Sequence, residues 1–136
     1  MPRKPKSNAE KMNGKPPHSV RIEKAFAGVP AGALLHISSP KEVAAHLLSV
    51  PRGTTVSMQS FRQSLATRNK CDAACPVSSA IFLKIVAEHA WEQIQAGTPL
   101  ADVPPFWRVI DPKTPLAKKL SVDAAWITLQ RELERA

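Results

Sequence analysis

The longest helix that the sequence predicts lies between two residues that interrupt helices, Pro76 and Gly97. Proline is tolerated in the first turn of a helix, and glycine is favoured just beyond a helix end. We therefore predict one helix from residue 76 to residue 95. Its apolar residues recur with the 3.6-residue period of a helix packed on a core, and they are Val77, Ile81, Phe82, Ile85, Val86 and Ile94.

A shorter helix is predicted upstream from its capping residues. Ser39 is the expected N-cap, Pro40 the first helical residue and Glu42 the partner that completes a capping box. Pro51 ends this helix near Val50. The stripe predicted to be buried consists of Val43, Leu47 and Leu48.

Two more helices follow from the same kind of signal. Ser57 is predicted to cap the segment "MQSFRQSLATR", with Met58, Phe61 and Leu65 directed inward. Ser121 is predicted to cap a C-terminal helix. The residues of that helix that are spaced for burial are Val122, Trp126 or Ala125, Leu129 and Leu133.

The remaining segments indicate short extended structure and turns. Residues 25–37 are apolar but interrupted by glycine and proline, "RGTTVS" is predicted to form a turn and a short strand, and "WRVI" another strand. "DPKTPLAKK" resembles an exposed hairpin or wing. The class is therefore mainly α with a few short strands. The order of elements fits a helix-turn-helix or winged-helix domain, and many small α+β domains share it.

Charge divides the chain more clearly than hydropathy does. The net charge is +8, and residues 1–24 hold seven basic residues against two acidic ones. This segment has few large apolar residues, so we expect a disordered basic arm followed by one domain over residues 25–136. Such an arm favours polyanions through counterion release, and a solubilising tail is an equal alternative.

Composition also argues against several other classes. No apolar run reaches the roughly 18 residues of a membrane span, and the first residues lack the apolar core of a signal peptide. Cys71 and Cys75 are therefore expected to be free thiols, and the four histidines show no zinc-ligand spacing around them. We expect a cytoplasmic, nucleoid-associated monomer without a cofactor, a metal ion or a membrane partner.

Three segments resemble the methylated-DNA–protein cysteine methyltransferases. "PKEVAAHLLSVPRGTTVSMQSFRQSLA" is similar to their helix, "IPxG" turn and first helix of a helix-turn-helix. "PPFWRVI" is similar to their active-site "IPCHRVI", with Pro105, Arg108 and Val109 in step. Leu129 and Glu132 resemble the "LxxEG" of their last helix. The resemblance covers residues 40–133 and implies a winged-helix domain of alkyltransferase-like type.

The departures from this pattern remove the family's chemistry. The position of the nucleophilic cysteine holds Phe106, and that of the proton-relaying histidine holds Trp107. Neither side chain forms a thiolate or moves a proton, so we expect no enzyme. Alkyltransferase-like proteins also carry an aromatic residue there and bind DNA with an alkylated guanine. The resemblance thus implies a base pocket formed by Phe106, Trp107 and Glu132, unless both aromatic residues fill the core.

The same resemblance implies a DNA-binding surface. Met58 stands where the family has a tyrosine in the strand-to-helix turn, and small residues near the start of the long helix allow close approach to DNA. Glu88 and Glu92 on that helix would repel phosphate. The predicted DNA-binding residues are Arg52, Met58, Arg62, Arg68, Lys70, Ser78, Ser79, Lys84 and Arg108. Ordinary solvated charge is the alternative for each basic residue.

Two hypotheses about function follow from these observations. The first is a non-enzymatic DNA-binding protein that recognises an alkylated or modified base without repairing it. The second is a protein–protein interaction module on a retained winged-helix scaffold. Basic residues around the start of the long helix would favour DNA, whereas Glu88, Glu92 and exposed apolar residues on that face would favour a protein partner.

Overall fold

The computed structural model describes residues 6–136, so the arm residues Arg3 and Lys4 lie outside the described part. Within it the chain is mainly helical with one small sheet, which confirms the coarse class. The helices are α1 (Asn8–Lys11), α2 (Pro40–Leu47), α3 (Met58–Arg68), α4 (Pro76–Gln95), α5 (Pro115–Lys118) and α6 (Ala124–Arg135). The strands are β1 (His18–Arg21), β2 (Leu34–Ile37) and β3 (Ala73–Ala74), and 3₁₀ turns span Leu100–Asp102 and Phe106–Arg108.

Local signals predicted the starts of three helices correctly, namely Pro40 of α2, Met58 of α3 and Pro76 of α4. The Ser39 hydroxyl accepts from the Glu42 N–H at 3.1 Å, and Pro40 is the first residue of α2. Ser57 caps α3 in the same way. The Glu42 carboxylate does not close a capping box, because it accepts from the Ser38 hydroxyl at 2.7 Å and contacts the His36 ring at 2.5 Å. This contact joins α2 to β2.

The prediction of a disordered arm is wrong for the segments that form α1 and β1. β1 pairs antiparallel with β2, with Ser19 opposite His36, and β2 pairs parallel with β3. The Ser7 side chain and Glu10 form a reciprocal capping box at the start of α1. Backbone pairing and packing against distant residues order a segment whose own apolar content is too small to do so.

Three predicted extended segments take other conformations. "RGTTVS" forms the predicted turn, in which the Thr54 N–H donates to the Pro51 carbonyl at 3.1 Å, but it forms no strand. Its Val56 N–H donates to the Arg108 carbonyl at 2.9 Å. "WRVI" begins in a 3₁₀ turn. The predicted wing is wrong because Thr114 caps α5 and Pro115 begins it, and this turn buries Ala117.

The buried face of α4 differs from the predicted one. Its fully buried residues are Ser79, Leu83, Val86, Ala87 and Ala90. Val77 and Ile81 stay half exposed, at 49% and 53%. α2 is a major packing partner of α4, and alanines let two helix backbones approach closely. The choice of face therefore depends on the partner helix rather than on the largest apolar side chains.

The structure also differs from the predictions in the start of α6 and in the buried faces of α6 and α2. Asp123, not Ser121, caps α6, because Ser121 donates through both its N–H and its hydroxyl to Glu88 at 2.6 Å. Ile127 is the fully buried residue of α6, and Leu129 and Leu133 are about half exposed. Val122 is buried as predicted. On α2, Val43 and Leu47 are buried as predicted, but Leu48 faces solvent.

Adjacent leucines at the end of α2 provide a matched test of this packing. The main core is the cluster of buried residues that α2, α3, α4, α6 and the segment 103–122 contribute. Leu47 is fully buried in it, and Leu48 is 63% exposed. We expect Leu47→Ala to lower the free energy of unfolding by about 2–5 kcal/mol through lost burial and a cavity. Leu48→Ala should change it by less than about 0.5 kcal/mol. Urea unfolding followed by tryptophan fluorescence measures both, and equal effects would contradict the packing described.

Candidate functional site

Phe106 and Trp107, predicted to line a base pocket, lie in the interior. Their exposed fractions are 0% and 2%, and both belong to the main core cluster. The open pocket expected around them is wrong, and the alternative that they fill the core is confirmed. Their neighbours are aromatic, which is the physical reason for this placement.

Trp126 of α6 is the centre of the aromatic group. Its ring stacks on Phe106 with centroids 5.8 Å apart and meets Trp107 edge-on at 5.7 Å. On another side it meets Trp91 of α4 edge-on at 5.2 Å. These are the offset-stacked and perpendicular arrangements that aromatic rings prefer. They join α4, α6 and the second 3₁₀ turn into one unit.

The carboxylate that meets this turn is Glu134, not Glu132. Glu134 accepts from the Trp107 indole N–H at 2.9 Å, and Glu132 is exposed. The Arg108 guanidinium reaches both Glu134 oxygens at 2.8–3.1 Å, and its Nη1 donates to the Val50 carbonyl at 2.8 Å. Arg108 is thus engaged inside the protein, and the prediction that it contacts DNA is wrong.

The sequence contained a signal for Glu134 that the family motif obscured. Residues 127, 131 and 134 follow the i, i+4, i+7 spacing of one helix face, and Ile127 on that face is fully buried. Glu132 lies about a third of a turn away from this face. The similarity to "LxxEG" selects Glu132, whereas the helix period selects Glu134, two residues later.

Glu134 remains ionised within this network. Burial raises its pKa, but hydrogen bonds from Arg108, Trp107 and the Gly53 N–H, together with the charge of Arg108, outweigh that effect. The net result is a pKa of Glu134 below the ordinary carboxyl value. A buried charge is stable in a protein when its lone pairs are filled in this way.

A cleft of about 500 Å³, hereafter the Met58 cleft, opens beside this network. Met58 is the one predicted site residue among its walls. The other apolar walls include Val56, Ala80, Val109, Ile110 and Leu116. Its polar groups come from Thr55, Ser57, Asp111, Thr114 and Arg131. A mostly apolar concavity with a few convergent polar groups is the usual form of a ligand site.

Arg131 joins the Met58 cleft to the core. Its Nε donates to the Trp107 carbonyl at 2.6 Å, which leaves the two terminal nitrogens of the guanidinium for the cleft. Burial lowers the pKa of Arg131, and the charge of Asp111 acts in the opposite direction. An arginine remains charged in either case. The cleft therefore presents a cation and a carboxylate, Asp111, close to one another.

The other predicted basic residues are dispersed. Arg62 lines a shallow cleft of about 170 Å³ with Gln59, Gln63 and Pro76, next to the start of α4. Arg68 and Lys70 are exposed at the end of α3 and just after it, and Arg52 is exposed beyond α2. None of these last three residues lines a described cleft.

Ser78 and Ser79, predicted to donate to phosphates, are directed inward. Ser79 is 1% exposed, and the hydroxyl oxygens of both serines are buried without a hydrogen-bond partner among residues 6–136. This prediction is wrong because neither hydroxyl oxygen is accessible, and the helix start is capped by the Cys75 sulfur, which accepts from the Ser78 N–H at 3.5 Å. The exposed residues of this half of α4 are Val77, Ile81 and Lys84.

Lys84 lines a third cleft, of about 560 Å³, hereafter the lysine cleft. It lies between α1, α4 and the segment after α5. Its basic residues are Lys11, Lys84 and Lys119, and its remaining walls come from Asn8, Ile81, Ile85, Glu88 and Ser121. Basic residues from three separate parts of the chain thus meet beside the exposed half of α4.

The described residues contain no evident metal or membrane feature. Over residues 6–136, no group of three or more His, Cys, Asp or Glu side chains is placed to hold a metal ion. Cys71 and Cys75 are both free and buried. None of the helices in this part of the chain is long and apolar enough to cross a membrane.

Comparisons with known proteins add no relative. No protein-family model matches the chain, and neither a curated protein nor a solved structure matches it.

Glu134 and Glu132 form a matched pair for testing the network. Breaking a buried ion pair by removing one partner leaves the other charge uncompensated. We therefore expect Glu134→Ala to lower the free energy of unfolding by about 3–5 kcal/mol. Glu132→Ala should stay within about 0.5 kcal/mol of the parent. Urea unfolding at pH 7 measures both, and the reverse ranking would assign the role to Glu132.

The pH dependence of the same variants gives a second prediction. The pKa of Glu134 is lowered in the folded state, so its stabilisation is complete above the unfolded-state value of about 4.3 and is lost as pH falls through the folded-state pKa. The stability difference between the parent and Glu134→Ala should therefore shrink as pH falls below about 4.3. Unfolding curves between pH 7 and pH 3 measure it. A difference independent of pH would contradict an ionised Glu134.

Proposed function

We propose that the chain is a non-enzymatic DNA-binding protein in which the Met58 cleft receives a base, including an alkylated or modified one. The supporting scaffold is an alkyltransferase-like helix-turn-helix in which residues 69–75 join α3 to α4 and α5 replaces the wing. The observation that carries the proposal is the Met58 cleft itself. It lies beside the turn where the resemblance implies a base pocket. The cleft is accessible from solvent, whereas Phe106 is fully buried.

The chemistry of the cleft suits recognition rather than reaction. Among residues 6–136, those that line it include no cysteine, histidine or lysine. The Ser57 hydroxyl is engaged with Ser60, accepting from its N–H and contacting its hydroxyl, both at 3.0 Å. A hydroxyl needs an adjacent base to become a nucleophile. The cleft therefore holds groups that bind a ligand and lacks an activated group to attack one.

The walls of the Met58 cleft match the two kinds of surface on a base. Met58, Ile110 and Leu116 offer apolar contact to the faces of a planar ring. The Arg131 guanidinium donates hydrogen bonds, and the Asp111 carboxylate accepts them. One Asp111 oxygen already accepts from the Lys113 N–H at 2.8 Å, which leaves the other for a ligand. Bases outside the stack are recognised through such edge hydrogen bonds and face contacts.

The distribution of charge supports a polyanionic partner. Among residues 6–136 only one lysine or arginine forms an ion pair, Arg108 with Glu134, and His36 contacts Glu42 at the same kind of distance. Most carboxylates instead accept hydrogen bonds from backbone or neutral side-chain groups, as Asp72 does from the Leu34 N–H at 2.8 Å. The exposed lysines and arginines are therefore available to phosphates, and the net charge of +8 favours association with them.

One observation favours a second candidate, a protein–protein interaction module. Val77 and Ile81 are half exposed on one side of α4, and exposed apolar residues on a helix are a common contact surface for another protein. Lys84 lies on the same side, one turn further along. The face is therefore mixed in character, and the binding experiment below separates the two candidates.

The proposal predicts lesion-dependent DNA binding that depends on Met58. Fluorescence anisotropy would compare duplexes with and without an O-alkylated guanine across a salt series. We expect tighter binding to the modified duplex. Met58→Trp should fill the cleft and weaken that binding about tenfold, which is about 1.4 kcal/mol. Met58→Leu, which nearly conserves volume, should bind as the parent does.

Each other outcome has a definite meaning. Equal, salt-dependent affinity for both duplexes would refute base recognition and leave a general DNA-binding protein. No binding at low salt would refute the DNA proposal and favour the interaction module. Loss of affinity for both duplexes in Met58→Trp, with Met58→Leu unaffected, would mean that the cleft contacts the backbone instead of a base.

A further inference from the structure

Lys11, Lys84 and Lys119 lie far apart in sequence but line one cleft. α1 supplies Lys11, the middle of α4 supplies Lys84, and the segment after α5 supplies Lys119. Glu88 is the only carboxylate among the described lining residues. The lining therefore has a net positive charge of two. Like charges brought together at a protein surface repel each other unless an anion lies between them.

The carboxylates near these lysines are engaged with other groups. Both Glu88 oxygens accept from Ser121, from its N–H and its hydroxyl, each at 2.6 Å. Glu92, one turn further along α4, accepts from the Asn8 side-chain amide at 2.5 Å. Among residues 6–136, the three lysines form no ion pair. Their ammonium groups are available to an external anion.

The two glutamates that would repel DNA thus hold the walls of the cleft in position. Glu88 fixes the segment that carries Lys119, and Glu92 fixes the start of α1. Met12, just after α1, packs against the main core and holds the other end of that helix. The position of Lys11 is therefore determined by the fold, although Lys11 belongs to a segment that composition alone predicted to be disordered.

The uncharged part of the cleft identifies which part of a nucleic acid fits. Ile81 and Ile85 supply apolar surface, and Ile81 is 53% exposed. No aromatic side chain belongs to the described lining, so bases have no stacking platform there. Lysine ammonium groups bind phosphates as point charges. Together with aliphatic surface for the sugars, they match a strand's backbone and carry no sequence preference.

We infer that the lysine cleft binds consecutive backbone phosphates of a DNA strand. This inference rests on the proposed function and adds to it the surface that holds the strand. α4 separates the two clefts, because Ala80 lines the Met58 cleft and Ile81 and Lys84 line the lysine cleft. The two clefts therefore lie on neighbouring faces of α4, and the strand runs along one of these faces while a base enters from the next.

The test compares two triple variants with the same change in net charge. The first is Lys11→Gln, Lys84→Gln and Lys119→Gln. The matched control is Lys24→Gln, Lys41→Gln and Lys113→Gln, whose lysines are exposed and line none of the described clefts. Binding to an unmodified duplex is measured by anisotropy across a salt series, so that base recognition plays no part. Circular dichroism and thermal unfolding verify that both variants are folded.

We expect the cleft variant to bind at least about tenfold more weakly than the control at low salt. The slope of log affinity against log salt should fall in magnitude by about 2 to 3, since each phosphate contact contributes about 0.9. Equal losses in the two variants would overturn the lysine cleft while leaving DNA binding intact. Absence of binding by the parent chain would overturn the proposed function and this inference together.

Discussion

The Glu134 carboxylate is the contact on which the rest of the structure depends. It lies near the end of α6 and receives hydrogen bonds from Trp107 and Arg108 in the second 3₁₀ turn, and from the Gly53 N–H at 3.4 Å. Arg108 extends the network to the Val50 carbonyl. One anion thereby joins the C-terminal helix, the "WRVI" turn and the loop after α2. Such a charge is tolerated in the interior because both carboxylate oxygens accept hydrogen bonds.

The same network determines which part of the surface is open. With Trp107 fixed by Glu134 and Trp126 stacked on Phe106, both Phe106 and Trp107 are held inside the core. Arg131 lies one turn before Glu134 on the same face of α6, and it donates a hydrogen bond to the Trp107 carbonyl. Its free nitrogens then reach the Met58 cleft. The aromatic core is closed and the Met58 cleft is open because α6 residues that bind Trp107 also place Arg131 in the cleft wall.

α4 connects this arrangement to the proposed DNA surface. Its buried face includes Ala87 and Ala90, which let α2 approach, and Val77 and Ile81 lie on another face that remains half exposed. Carboxylates on α4 bind Ser121 and Asn8 and so hold the segments that bring Lys119 and Lys11 beside Lys84. Acidic residues that look unfavourable for DNA in the sequence have a structural role in assembling a basic surface.

The sequence by itself determined the parts of the fold that close within a few residues. Ser39 with Pro40, Ser57, and the Pro76 to Gly97 interval fixed α2, α3 and α4, because a cap is satisfied by backbone groups three residues away. Only the tertiary structure decided which helix faces are buried, that His18–Arg21 pairs with β2, and that Glu134 rather than Glu132 meets Trp107. Those outcomes depend on partners tens of residues away. Local periodicity places Glu134 on the same helix face as Ile127, but it does not identify the distant surface that this face meets.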